Sequence, residues 1–122
     1  ELDKRVEFLF EPEKIRNYKT IVIPWKIIYD EKLEEELIDF VNKGGKLVVT
    51  TDFFRKNNDN VYLDYVPKIY REAFGWEKND FINEDESNSG GIVYSNKIGD
   101  GQVLILSMKT SLEEWSRLAF LD

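Results

Sequence analysis

A chain of 122 residues without a single cysteine or histidine is excluded from disulfide scaffolds, thiolate catalysis and zinc–sulfur sites, and it lacks the commonest general base and metal ligand. The 42% hydrophobic and 14% aromatic fractions supply one core, while a net charge of −7 opposes binding along a phosphate backbone. No apolar run approaches the roughly 20 residues of a membrane span, and charged Glu1–Arg5 lacks the apolar stretch of a signal peptide. The expectation is a single cytoplasmic domain over residues 1–122, with no nucleic-acid or membrane partner.

In chain order, Arg5–Phe10 (RVEFLF) reads as a short strand ended near Pro12. Thr20–Pro24 (TIVIP) is nearly continuous in apolar residues, which predicts a parallel strand buried on both faces and placed centrally in its sheet. Asp30 is a natural N-cap for a helix to about Lys43, with Gly44 placed for the left-handed C′ conformation. Its apolar stripe is Leu33, Leu37, Phe40 and Val41, and Glu34, Glu35 and Asp39 read as a solvated face. Lys46–Thr51 is the next strand, completing a βαβ unit for which a right-handed crossover is expected.

Pro67 suits the first turn of a second helix, Val66–Phe74, closed by Gly75. Ile92–Ile98 and Gln102–Ser107, joined by Gly99, Asp100 and Gly101, predict an antiparallel hairpin. Ser111 and Glu114 have capping-box spacing before a last helix lined by Leu112, Trp115, Leu118 and Ala119.

In open α/β sheets functional groups gather beyond the carboxyl ends of the strands, here Pro24–Tyr29, Asp52–Asn60 and Ser107–Ser111. The first loop carries Trp25, Ile27, Ile28 and Tyr29, and the second carries Phe53, Phe54 and Arg55. Three readings stand: a protein–protein interface rich in aromatic residues and arginine, a ring platform for a sugar, or side chains folded back into the core. Because two loops at one sheet edge share the signal, the interface or ligand-wall candidates are Trp25, Tyr29, Asp52, Phe53, Phe54 and Arg55.

Catalytic signals are weaker. A retaining glycosidase needs two carboxyl groups about 5–5.5 Å apart; Asp52 is the best single candidate, yet a lone aspartate at a strand end more often caps the chain. Glu84, Asp85 and Glu86 read as a solvated acidic run. Asn57–Asn60 (NNDN) lacks the glycine and closing glutamate of an EF-hand and reads as a turn, and Gly99–Gly101 is too short for a phosphate loop. No catalytic residue, metal ligand or cofactor is assigned.

The segment YKTIVIPWKIIYDEKLEEELIDFVNKGGKLVVTTD, followed by NNDNVYLDYVPKIYREAFGWE and later IGDGQVLILS, resembles the middle, trimerisation domain of glycoside hydrolase family 42 β-galactosidases. The resemblance covers about residues 5 to 110. It implies a flavodoxin-like, class I glutamine amidotransferase-like three-layer sandwich with a mostly parallel sheet and a C-terminal antiparallel hairpin. It implies no amidotransferase activity, because the turn that carries their cysteine has only Thr50, Thr51 and Asp52 here.

In those β-galactosidases the two catalytic glutamates belong to a separate barrel domain, and the middle domain holds three subunits together with loops that can wall a neighbour's active site. The implied role is therefore a non-catalytic assembly domain within a homo-oligomer, a trimer by resemblance, whose parent enzyme acts on a galactoside. The family domain begins with a further strand and helix that this chain does not supply, so a fragment of a larger glycosidase-like protein is expected. The alternative is a carbohydrate or small-molecule binding domain using Trp25, Asp52 and Arg55.

Overall fold

A computed structural model of the chain describes residues 18–82 and 90–119. The expected strand Arg5–Phe10 and the acidic run Glu84–Glu86 lie outside the described residues. Among the described residues seven elements follow in order: β1 (Thr20–Ile23), α1 (Glu31–Asn42), β2 (Lys46–Thr50), α2 (Lys68–Glu72), β3 (Ile92–Ile98), β4 (Gly101–Leu106) and α3 (Leu112–Ala119). They form a mixed α/β structure around one four-stranded sheet of order β1-β2-β4-β3, in which β1, β2 and β4 are parallel and β3 runs antiparallel to β4.

Successive side chains of a strand point to opposite faces, and each parallel strand here supplies both. Ile21, Leu47, Val49, Val103 and Ile105 enter the larger core beneath α1 and α2, together with Leu37, Phe40, Tyr70 and Phe74. Their neighbours Val22, Val48, Leu104 and Leu106 form a second cluster under Trp115 of α3. Register aligns these layers across the sheet, with Leu47 opposite Ile21 and Val103, and Val48 opposite Val22 and Leu104.

Among the described residues β1 is an end strand, not the central strand expected. Its apolar run reflects cover above and below, which buries Ile21 and Val22, and such cover gives the same sequence signal whether or not strands flank both edges.

The ends of α1 follow local chemistry. Asp30 Oδ1 accepts the Leu33 amide at 3.1 Å, and Glu31 and Glu34 occupy the first turn, where the helix dipole favours negative charge. At the other end Gly44 takes φ +103°, its amide donates to the Val41 carbonyl, and the Gly45 amide donates to the Phe40 carbonyl. This is the paired bonding of a Schellman motif.

The second helix is shorter than the predicted Val66–Phe74. Pro67 sits before it with extended ψ of 153°, and the amides of Ala73 and Phe74 both turn onto the Ile69 carbonyl before Gly75 at φ +69°. The hairpin turn is tighter than expected because Gly101 already pairs with Ile98. A side chain at Gly101 would place its Cβ 2.1 Å from the Val41 carbonyl oxygen, so glycine is what allows α1 to lie against β4. The Glu114 amide donates to Ser111 Oγ at 3.1 Å, capping α3 as predicted.

Candidate functional site

The loops that follow β1 and β2 leave the same end of the sheet and stay paired beyond it. Amides of Phe54 and Lys56 donate to the carbonyls of Lys26 and Ile27, and the Tyr29 amide donates to the Lys56 carbonyl. Ile28 and Lys56 thus continue the parallel pairing, and Lys56 in turn bridges antiparallel to Tyr62. The result is a small extension of the sheet made from the two loops. Its outer hairpin turns on Asn57, whose side-chain oxygen accepts the amides of Asp59 at 2.8 Å and Val61 at 3.1 Å, while Asn60 adopts φ +64°. The asparagine cluster is the turn its composition suggested. Among the described residues no group of three or more acidic, histidine or cysteine side chains could hold a metal ion.

The six candidate residues separate by depth. Phe53 and Phe54 are fully buried, so of the three readings these two side chains take the one in which they fold back into the core. Their rings stack with centroids 3.9 Å apart, Phe53 packs toward Phe74, and Tyr29 meets the Phe54 ring edge-on. The reason is backbone conformation: Phe54 adopts φ +55°, and the Tyr70 hydroxyl donates to the Phe53 carbonyl at 2.5 Å. That arrangement folds the turn inward beneath the loops. Burial pushes the Tyr70 phenol far above its ordinary range, an effect that Arg55 partly offsets and Asp52 reinforces.

Asp52 is also buried. Its Oδ1 accepts the Thr50 hydroxyl at 2.5 Å, and Thr50 Oγ1 accepts the Trp25 amide at 2.8 Å. The carboxylate therefore holds the loop after β1 onto the end of β2. Trp25 itself is 46% exposed with φ +57°, and its ring lies 6.3 Å from that of buried Trp115. Arg55 is half-buried, with its guanidinium 5.0 Å from the Phe81 ring centroid and 5.6 Å from that of Tyr62.

Tyr29 is half-buried and donates its hydroxyl to Glu34 Oε1 at 2.5 Å. Burial first, and then the bond to and charge of Glu34, raise this phenol well above its usual range. Glu34 is a correction: it is fully buried, not part of a solvated face. Its other oxygen accepts the Ile69 amide at 3.1 Å, an unpaired donor in the first turn of α2 to which Pro67 offers no side-chain cap. The sequence did carry a signal, since Glu34 shares a helical face with Leu37 and Val41 as well as with the polar residues beside it.

Reading the loops from Asp52 to Arg55 alone missed their outer edge. Val61, Tyr62 and Tyr65 are 56%, 60% and 52% exposed, so both loops carry exposed aromatic residues. Tyr62 also receives the Lys56 ammonium 4.6 Å from its ring centroid. Between the two loops lies an open groove of about 470 Å³ lined by Lys26, Ile28, Tyr29, Asp30, Glu31 and Asn58.

Fold and site together define an α/β domain with buried aromatic residues at the end of β2 and exposed ones on the loops around it. Residues 1–89 match the family described as the beta-galactosidase trimerisation domain, and the chain belongs to that family. It is 32% identical over 102 residues to beta-galactosidase BgaB of a Geobacillus species and to the protein of that name from Geobacillus kaustophilus, matches that cover 79% of this chain. The chain spans about 15% of the length of these curated relatives.

Among solved structures it resembles Gan42B, a GH42 beta-galactosidase, with a TM-score of 0.62 and 18% identity over 87% of this chain and 21% of that one. A catalytic mutant of Gan42B from G. stearothermophilus matches with a TM-score of 0.58 and 18% identity over 82% of this chain and 20% of the other. These structural likenesses bear on the fold.

Proposed function

We propose that this chain is an assembly domain of a β-galactosidase-like glycoside hydrolase, and that the loops after β1 and β2 form its contact with another subunit. The observation that carries the proposal is the exposure of Trp25 on the loop after β1 and of Val61, Tyr62 and Tyr65 on the loop after β2, in a chain whose family is described as a trimerisation domain. Aromatic side chains of this kind dominate the energetics of protein interfaces. In this reading Trp25 and Arg55 make contact, while Tyr29, Asp52, Phe53 and Phe54 support them from beneath.

The domain is one unit of a longer protein, consistent with its share of the BgaB relatives. The parent hydrolyses galactosides in the cytoplasm with catalytic groups located outside this chain. The parallel order β1-β2-β4 with β3 added antiparallel supports reading the fold as flavodoxin-like.

Sedimentation of the intact protein that carries this chain tests the role. An oligomer is expected, and a monomer at high concentration refutes assembly. Trp25→Ala should weaken association by about 1–4 kcal/mol if Trp25 is a central contact. If neither Trp25→Ala nor the pair Tyr62→Ala and Tyr65→Ala alters association, the contact lies elsewhere.

A further inference from the structure

The loop after β2 carries a cation, Arg55, held against aromatic rings. Among the described residues Arg55 forms no ion pair, and its Nε is sealed from solvent without a hydrogen-bond acceptor. Asp52, three positions earlier, has Oδ1 bound to the Thr50 hydroxyl. The rings of Phe81 and Tyr62 meanwhile hold the guanidinium at 5.0 and 5.6 Å. Cation–π contacts use the flat faces of the group and leave its in-plane N–H donors to bond elsewhere. A planar, immobilised fork of donors fits a carboxylate in the two-bond geometry that arginine favours.

The surroundings identify where such a carboxylate comes from. Arg55 lies against the exposed Tyr62 ring, and Lys56 adds a second cation against the same ring. The chain as a whole has 24 acidic residues against 17 basic ones. A second copy therefore offers more carboxylates than cations to the pair of cations on the Tyr62 ring, and charge matching of this kind fixes register between subunits.

We propose that Arg55, held against the rings of Phe81 and Tyr62, takes a carboxylate of a neighbouring subunit of the same protein. The proposal rests on the assembly reading above and adds to it a named anchor and the chemistry of what it grips. The sealed Nε lies out of a neighbour's reach, so the carboxylate meets the two terminal nitrogens of the half-buried side chain. A lysine in this position keeps the charge but loses the fork.

The test is sedimentation of the intact protein at low and high sodium chloride, comparing wild type, Arg55→Gln and Arg55→Lys, with thermal unfolding of each measured below its association concentration. Wild type should associate more weakly as salt rises. Arg55→Gln should raise the half-dissociation concentration at least about tenfold and flatten the salt dependence, with Arg55→Lys between the two and the unfolding midpoints close together. A wild-type oligomer whose stability and salt response are unchanged in Arg55→Gln overturns the proposal and leaves the assembly reading standing. A wild-type monomer overturns that reading itself. If Arg55→Gln fails to fold, Arg55→Lys decides, because it keeps the stacked charge: association equal to wild type then refutes the carboxylate grip. A lowered unfolding midpoint with intact association would also refute it, showing that Arg55 acts within its own chain.

Discussion

Replacing Glu34 tests how the loop after β1 and helix α2 are tied to α1. The carboxylate is fully buried and accepts from the Tyr29 hydroxyl and the Ile69 amide. Glu34→Ala leaves the Ile69 amide without its acceptor, at about 1–3 kcal/mol for a buried unsatisfied donor. Tyr29 is half-buried and can turn its hydroxyl toward water, so its loss is nearer to about 0.5 kcal/mol, the low end for a hydrogen bond. The cavity adds about 1 kcal/mol, and relief of the buried charge offsets part of the sum.

The net expectation is about 2–3 kcal/mol of destabilisation for Glu34→Ala. Glu34→Gln should lose only about 1 kcal/mol, because its oxygen can still take the Ile69 amide while its NH2 donates to Tyr29. Hydrogen exchange on the intact protein measures the effect locally. The amides of Lys68–Glu72 should lose protection strongly in the alanine variant and slightly in the glutamine variant. Unchanged protection in Glu34→Ala would refute the proposed tie between α1 and α2.

The two glycines that frame α1 should respond differently to alanine. At Gly44 the nearest atom is 3.5 Å from a built Cβ and the difficulty is φ +103°, so about 1 kcal/mol is expected. Gly101→Ala meets the Val41 carbonyl oxygen at 2.1 Å and should cost about 3 kcal/mol or more by forcing α1 from β4; equal thermal shifts would contradict this distinction. The raised Tyr70 phenol stabilises the fold fully below the ordinary phenol pKa of about 10, and that contribution is lost as pH climbs through the alkaline range, by about 1.4 kcal/mol per pH unit while only the unfolded phenol is ionised. Urea unfolding at rising pH should show the fall, and it should be shallower in Tyr70→Phe. Asp52→Asn keeps an acceptor for the Thr50 hydroxyl and, under the proposed function, should leave any galactoside turnover by the intact protein unchanged, whereas a large loss of turnover in a kinetic assay would give this carboxylate a catalytic role.

Order and type of the described elements were legible because each had a local cause. Asp30 and Gly44 bound α1, Ser111 caps α3, and the continuous apolar strands find cover on both faces. The position of β1 was not legible, since burial by layers and pairing by neighbours leave the same imprint on sequence. Which loop aromatics are buried was left open for a related reason. Phe53 and Phe54 resemble surface aromatics until Phe54 takes a positive φ, and no pattern of types predicts that a bulky residue will adopt the conformation that glycine favours. Glu34 was misplaced because its partners, a tyrosine five residues before it and an amide 35 residues after it, exist only once α2 has docked.

The turn after β2 explains why the aromatic signal divides between core and surface. A phenylalanine at φ +55° carries strain of the order of 1 kcal/mol or more, and it persists here because three interactions over-determine it. Phe54 donates to the Lys26 carbonyl, its ring stacks on Phe53, and Tyr70 grips the Phe53 carbonyl. An elbow that could present a reactive side chain outward instead fills the space beneath itself with two rings. That filling gives the loops a rigid floor: Asp52 and Thr50 fix Trp25 from one side, and the chain leaving Phe54 carries Arg55 and the Tyr62 hairpin on the other. A surface held in this way keeps its side chains ordered before a neighbour arrives, which lowers the entropy cost of association. Buried Phe53 and Phe54 therefore serve the proposed interface by fixing its shape, and substitutions there should weaken folding and association together, whereas changes at half-exposed Trp25 should act more on association than on folding.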